Sequence, residues 1–199
     1  ISGALKNYSL HQNPYAGSTH PRTAGNGSIM RLAPIPLYYL LSLEQTIHFA
    51  GESSRTTHGS EEAVESAKLL AVLIRMALLG HDKKGILFES DYCSNTATVN
   101  ALAQGDYLVK EEKHIKGSGY VIESLEAALW CFARTDSFEQ AVLKAVNLGD
   151  DADTTAAIVG QIAGAYYGVS AIPSSWLKKL YNVEFIRGLA VSFFSNQET

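Results

Sequence analysis

A chain of 199 residues with 46% hydrophobic content is long enough to bury a sizeable core and fits one domain, residues 1–199, better than two. Its formal net charge is -4 and its 16 basic residues are scattered, so no stretch is dense enough to track a phosphate backbone and nucleic acid is not an expected partner. The two cysteines, Cys93 and Cys131, lie far apart without the pairing of a zinc site or disulfide framework, and read as free thiols in a reducing cytoplasm.

The chain opens at Ile1 with neither an initiator methionine nor a signal-peptide pattern, which reads as a processed chain or a fragment. Pro34 and Pro36 suit the start of a helix running on through "LYYLLSLEQTIHFA". In "SEEAVESAKLLAVLIRMALLG" the residues Ala67, Leu70, Ala71, Ile74, Ala77 and Leu78 recur at three- and four-residue steps, with Glu61 and Glu62 in the first turn and Gly80 at the end. "YVIESLEAALWCFA" repeats the pattern through Ile122, Leu125, Leu129 and Phe132. "SFEQAVLKAVNLG" opens with a capping box, Ser137 to Gln140, and "EFIRGLAVSFF" predicts a last helix. No run alternates as a strand. The pattern predicts an all-α fold, a multi-helix bundle with short Gly, Ser and Asn joints.

Residues 147 to 168, "NLGDDADTTAAIVGQIAGAYYG", gather three carboxylates, Asp150, Asp151 and Asp153, just before a helix predicted from Thr154. Two readings stand side by side. The carboxylates form an elaborate N-cap, although one side-chain oxygen suffices for that and each further charge adds repulsion. Alternatively Asp151, Asp153 and the Thr154 hydroxyl converge on a cation, and oxygen-only donors favour magnesium or manganese over zinc. An EF-hand is excluded, because counting from Asp151 puts Ala156 and Ile162 where glycine and glutamate are required. Behind the cluster, Ala156, Gly160, Gly164 and Gly168 recur every four residues and predict a stripe that admits another helix backbone closely. Those fifteen or so residues rise only about 22 Å against a bilayer core of about 30 Å, so no membrane span is expected.

Three loops offer further polar groups. "GNG" places Asn26 between Gly25 and Gly27, either as a plain turn or as open amides for an anion or sugar. Ser53, Ser54, Arg55, Thr56, Thr57 and His58 precede the Glu61 helix, as caps or as phosphate contacts. Gly117, Ser118, Gly119 and Tyr120 lead into the following helix.

Taken in order, "AGNGSIMRLAP", "SSRTTH", "GSGYVIESLEAALWCF" and "NLGDDADTTAAIVGQIAGAYYG" resemble the ADP-ribosylglycohydrolase family, of the dinitrogenase-reductase-activating glycohydrolase type. The resemblance implies a compact orthogonal all-α bundle and a binuclear magnesium or manganese site. It implies hydrolysis of the N-glycosidic bond between ADP-ribose and a protein side chain, often arginine. By it Asp151, Asp153 and Thr154 are metal ligands, Asp151 and Asp153 also catalytic. Gly25, Asn26, Gly27 and Ser28 lie along the ribose and diphosphate, Ser53, Ser54 and His58 near the phosphates, and Gly119 and Tyr120 line the pocket. The partner is ADP-ribose or an ADP-ribosylated protein.

The family pattern also has an early Gly-Asp motif, a nearby acidic residue and a Thr-Asp-Asp motif upstream of the glycine loop. The 23 residues before Ala24 contain no Asp or Glu. The reading is therefore an N-terminally truncated family domain, with a non-catalytic ADP-ribose binder and a structural protein as alternatives. Removal of a packed segment exposes apolar surface, so a homo-oligomer is expected.

Overall fold

In a computed structural model, which describes residues 1–195, the longest apolar run at helical spacing becomes the centre of the molecule. Eleven α-helices follow in order among the described residues: α1 (Ser2–His11), α2 (Pro34–Tyr38), α3 (Leu43–Arg55), α4 (Glu61–Leu78), α5 (Lys83–Phe88), α6 (Ala97–Ala103), α7 (Val121–Ala133), α8 (Phe138–Asn147), α9 (Ala152–Tyr167), α10 (Ser174–Leu177) and α11 (Val183–Ser195). From Ala63 to Ala77 every residue of α4 is buried except Lys68 and Arg75. A helix apolar on nearly all sides must be surrounded. Accordingly α3, α7, α9, α2, α5, α6 and a 3-10 turn at Asn26–Arg31 all pack on it. Leu69, Leu70 and Ile74 of α4 share one core with Leu125 and Leu129 of α7 and Ile158 and Ile162 of α9.

The all-α expectation holds: the described residues contain no strand, only isolated bridges at Ser18–His58 and Gly25–Tyr120. The helix expected to run unbroken from Pro34 is two helices. Ser42 stops it, taking extended backbone and accepting a hydrogen bond from the Gln45 amide at 3.2 Å, with Glu44 in the first turn of α3. A good N-cap inside an apolar run starts a new helix there. The Ser137 cap of α8 forms as expected, its hydroxyl accepting from the Gln140 amide at 3.2 Å, while Gln140 reaches back to the Asp136 amide instead of that of Ser137. Helices α1, α5, α6 and α10 carry no strong sequence signal; α1 buries only Ala4.

The small-residue stripe on α9 does not receive a helix backbone. Ala156, Gly160, Gly164 and Gly168 are half-buried, and a Cβ built at Gly160 meets nothing within 4 Å. The packed face is instead Thr155, Ile158, Val159, Ile162 and Ala163, set against α8, α7 and α4. Bulky apolar residues at three- and four-residue steps outweigh the glycines, since they are what gains by leaving water. Gly168, at φ +79°, ends the helix. No helix among the described residues is long and apolar enough to cross a membrane.

Leu70 is fully buried in this core. Leu70→Ala is expected to cost about 2–5 kcal/mol in urea unfolding, the range for deleting a buried leucine side chain. Phe185, Ile186, Leu189, Val191 and Phe194 leave an exposed apolar surface on α11, and sedimentation across a concentration series is expected to show self-association.

Candidate functional site

The site is built around one side-chain amide. Asn26 begins the 3-10 turn between its two glycines and is 8% exposed. Its Nδ2 donates to Asp151 Oδ2 at 2.7 Å and to Ser124 Oγ at 2.7 Å, with the Ser118 carbonyl at 3.4 Å. Its backbone amide donates to the Gly119 carbonyl at 3.1 Å, and the Val121 amide donates to the Ala24 carbonyl at 3.0 Å. These bonds make the Gly25–Tyr120 bridge. The Asp151 amide donates to the Gly117 carbonyl at 2.8 Å. The "GNG", "GSGY" and "GDDADT" segments, more than ninety residues apart along the chain at the first joint, are thus laced into one surface.

The fourth segment arrives through His58. Its ring lies against the glycine loop so closely that a Cβ on Gly27 would fall 2.7 Å from Cε1 and one on Gly25 3.4 Å from the ring. Here glycine is needed for approach. Burial pushes the His58 pKa down and Arg31 pushes it further, which favours the neutral imidazole. Ser53, Ser54 and Arg55 are not loop residues but the last turn of α3. Ser53 accepts from Arg31 through Oγ at 3.1 Å and through its carbonyl at 3.0 Å, and the same guanidinium reaches the Thr56 and Thr57 hydroxyls. Ser54 is fully buried and donates to the His58 carbonyl at 2.9 Å. Arg31 and Ser54 therefore shape the loop that presents His58.

At the start of α9 the three aspartates differ in backbone and partners. Asp150 adopts φ +54°; Asp153 is exposed and its Oδ1 accepts from the Thr154 amide at 2.9 Å. Asp151 occupies the N-cap position yet makes no side-chain cap bond. Its carboxylate is spent across the loops on Asn26, which holds its pKa below the ordinary carboxylate value; burial opposes this, and Thr154 and Asp153 add smaller lowering effects. Simple capping does not describe Asp151. Asp151, Asp153 and Thr154 supply hard oxygen donors, the chemistry that suits magnesium or manganese. No group of three His, Cys, Asp or Glu able to hold a metal occurs among the described residues.

The ADP-ribosylglycohydrolase family model matches residues 1–199. The chain belongs to the ADP-ribosylglycohydrolase family. It is 40% identical over 191 residues to the ADP-ribosylarginine hydrolase Tri1 of Serratia proteamaculans (strain 568), covering 96% of this chain and 52% of that protein. It is 41% identical over 182 residues to the ADP-ribosylarginine hydrolase Tri1 of Pseudomonas putida (strain GB-1), covering 90% and 48%. Its fold matches a solved chain from an ADP-ribosylglycohydrolase-related protein complex with TM-score 0.87 and 40% identity, over 98% of this chain and 67% of that one. The chain thus spans about half the length of these curated relatives.

Several residues that hold this family site together carried little signal in the sequence. Gln161, noticeable only as a polar residue in a charge-free stretch, accepts from the Ala33 amide at 2.6 Å and donates to the Ile29 carbonyl at 2.8 Å, clamping α9 to the glycine turn. Ser124 sits on the buried face of α7 and gives Asn26 its second partner. Asn26→Ala is expected to raise the Asp151 pKa toward its ordinary value. A depressed carboxylate stabilises the fold above its unfolded pKa and loses that contribution as pH falls through the native value. Wild type and variant should therefore differ most at neutral pH and draw together in acid, as carboxyl NMR titration and unfolding at the two pH values will measure.

Proposed function

We propose that this chain forms the ADP-ribose-binding part of a hydrolase that cleaves the N-glycosidic bond between ADP-ribose and an arginine side chain of a protein. One observation carries this reading: the Asp151 carboxylate is turned away from its own helix to Asn26, where four family motifs meet. The names of the Tri1 relatives support the linkage to arginine.

In this reading Gly25, Asn26, Gly27 and Ser28 lie along the ribose and diphosphate, with Ser53, Ser54 and His58 toward the phosphates and Gly119 and Tyr120 lining the pocket. Ser28 is 1% exposed and its hydroxyl has no hydrogen-bond partner among the described residues. A buried hydroxyl left unpaired costs about 1–3 kcal/mol, and a bound sugar or phosphate oxygen offsets that. As the glycosidic bond breaks, positive charge develops at the anomeric carbon; ionised Asp151 stabilises it, and a neutral His58 adds no opposing charge. Asp151, Asp153 and Thr154 are the ligands this chain offers to Mg2+ or Mn2+. Such an ion supplies Lewis acidity toward the ribose hydroxyls. A second reading is ADP-ribose binding without turnover, since no three His, Cys, Asp or Glu among the described residues are grouped to hold a metal.

Calorimetric titration with ADP-ribose is the direct test, and a chain that does not bind it overturns both readings. Ser28→Ala is expected to weaken binding by about 2- to 10-fold, the worth of one hydrogen bond, while leaving the melting temperature unchanged or higher. Release of ADP-ribose from an ADP-ribosylarginine peptide, present with magnesium and abolished by a chelator or by Asp151→Asn, supports the hydrolase; tight binding with no release supports the binder.

A further inference from the structure

Tyr120, placed along the ADP-ribose site in the proposed reading, donates its hydroxyl to Glu62, which lines a second pocket. This pocket, of about 370 Å3, is lined by Thr19, Ser60, Glu61, Glu62, Thr96 and Thr98, together with Pro21 and Ala97. It adjoins the site through one peptide: Gly119, next to Tyr120, would carry a Cβ 3.9 Å from Asp151 Oδ2.

The chemistry of its wall is one-sided. The Tyr120 hydroxyl donates to Glu62 Oε2 at 2.7 Å and the Thr98 hydroxyl to Oε1 at 2.8 Å, so the Glu62 carboxylate is fixed by two neutral donors. Burial and the bond to Glu62 raise the Tyr120 pKa, which keeps the phenol a donor. Neither Glu61 nor Glu62 forms an ion pair among the described residues, and no Lys, Arg or His lines the pocket. Ser60 stands at the N-cap of α4 but makes no cap bond; it is 1% exposed and its hydroxyl has no partner. The positive end of α4 favours an anion by itself, yet Glu61 and Glu62 already complement it and repel a second one. Two carboxylates without a Lys or Arg partner and an orphaned hydroxyl oxygen suit a ligand that is cationic and donates several hydrogen bonds. A guanidinium has that character, with five N–H groups in a planar fork and no acceptor.

We propose that the Ser60–Glu62–Thr98 pocket takes an arginine side chain of the ADP-ribosylated protein adjacent to its modified residue, with Glu62 as counter-ion. This rests on the proposed function and adds a specificity element to it: the ADP-ribose site reads the modification, and this pocket reads basic sequence beside it. Tyr120 joins the two, with its backbone bridged to Gly25 and its hydroxyl bonded to Glu62.

The test uses amide NMR spectra of the full chain. Ethylguanidinium is expected to shift the Ser60, Glu62 and Thr98 amides saturably, while its neutral isostere ethylurea at equal concentration does not. Glu62→Gln should weaken the response at least fivefold. Glu61→Gln, at an exposed position that does not hold Tyr120, should weaken it in the same direction and serves if Glu62→Gln fails to fold. Equal responses to ethylurea, or the same amides responding to inorganic phosphate, overturn the proposal. A second arm compares affinities for an ADP-ribosylarginine peptide carrying a neighbouring arginine and for its citrulline counterpart. A preference of at least threefold that Glu62→Gln removes supports the proposal, and no preference overturns it. ADP-ribose alone reports separately on Asn26, Gly119 and Asp151. If it fails there while ethylguanidinium still shifts Ser60 and Thr98, the functional reading falls and the cation pocket stands.

Discussion

The hydrogen bond from Asn26 to Asp151 is the constraint on which the site depends. It joins a neutral amide to a carboxylate in a half-buried setting, where a charge-assisted bond is stronger than one between neutral groups. Three chain segments are fixed by that one side chain: the turn at residues 25–28, the loop entering α7 and the first turn of α9. The flanking glycines serve the same end, because they let the His58 ring close over the turn. Loss of the amide would leave the Asp151 charge without its main partner, and the three segments with their backbone contacts and the Gln161 clamp.

Loops in general move more than the elements they join, and here each is rooted on a packed helix. Helix α4 is the common support. Its buried carboxylate, Glu65, shows how polar groups are tolerated there: burial would raise its pKa, but bonds from Lys68, Tyr92 and Ser94 outweigh that and keep it low. Ser94 also contacts Thr96, at the edge of α6, so the Glu65 network positions the segment that brings Thr98 to Glu62. A satisfied buried charge is expensive to disturb, which suits a support and not a moving part.

The distribution of charge separates two kinds of chemistry on one surface. Asp151 is committed to an internal partner and to the site beside it, whereas Glu61 and Glu62 face a pocket with no cation of their own. Tyr120 lies between them, with its backbone bridged to Gly25 and its hydroxyl on Glu62. In the proposed reading a compact nucleotide-sugar and an extended basic peptide make different demands, which neighbouring subsites of different polarity would meet.

Legible in the amino-acid order alone are the helices whose apolar residues recur at helical spacing, the Ser137 cap and the family motifs around Asn26 and Asp151. Those signals are local, and the physics that produces them acts within a few residues. The helix break at Ser42 was legible in principle, since a serine followed by an acidic first turn is a start signal, but the surrounding apolar run concealed it. The packed face of α9 was set by the assembled core, because burial of Ile158 and Ile162 is a gain that depends on α4 and α7 being present. The same core also decided the partners of Asp151, Gln161 and Glu62, each of which lies many residues away in the chain. Spacing along a chain fixes a helix; a hydrogen bond between distant loops exists only once the core has brought them together.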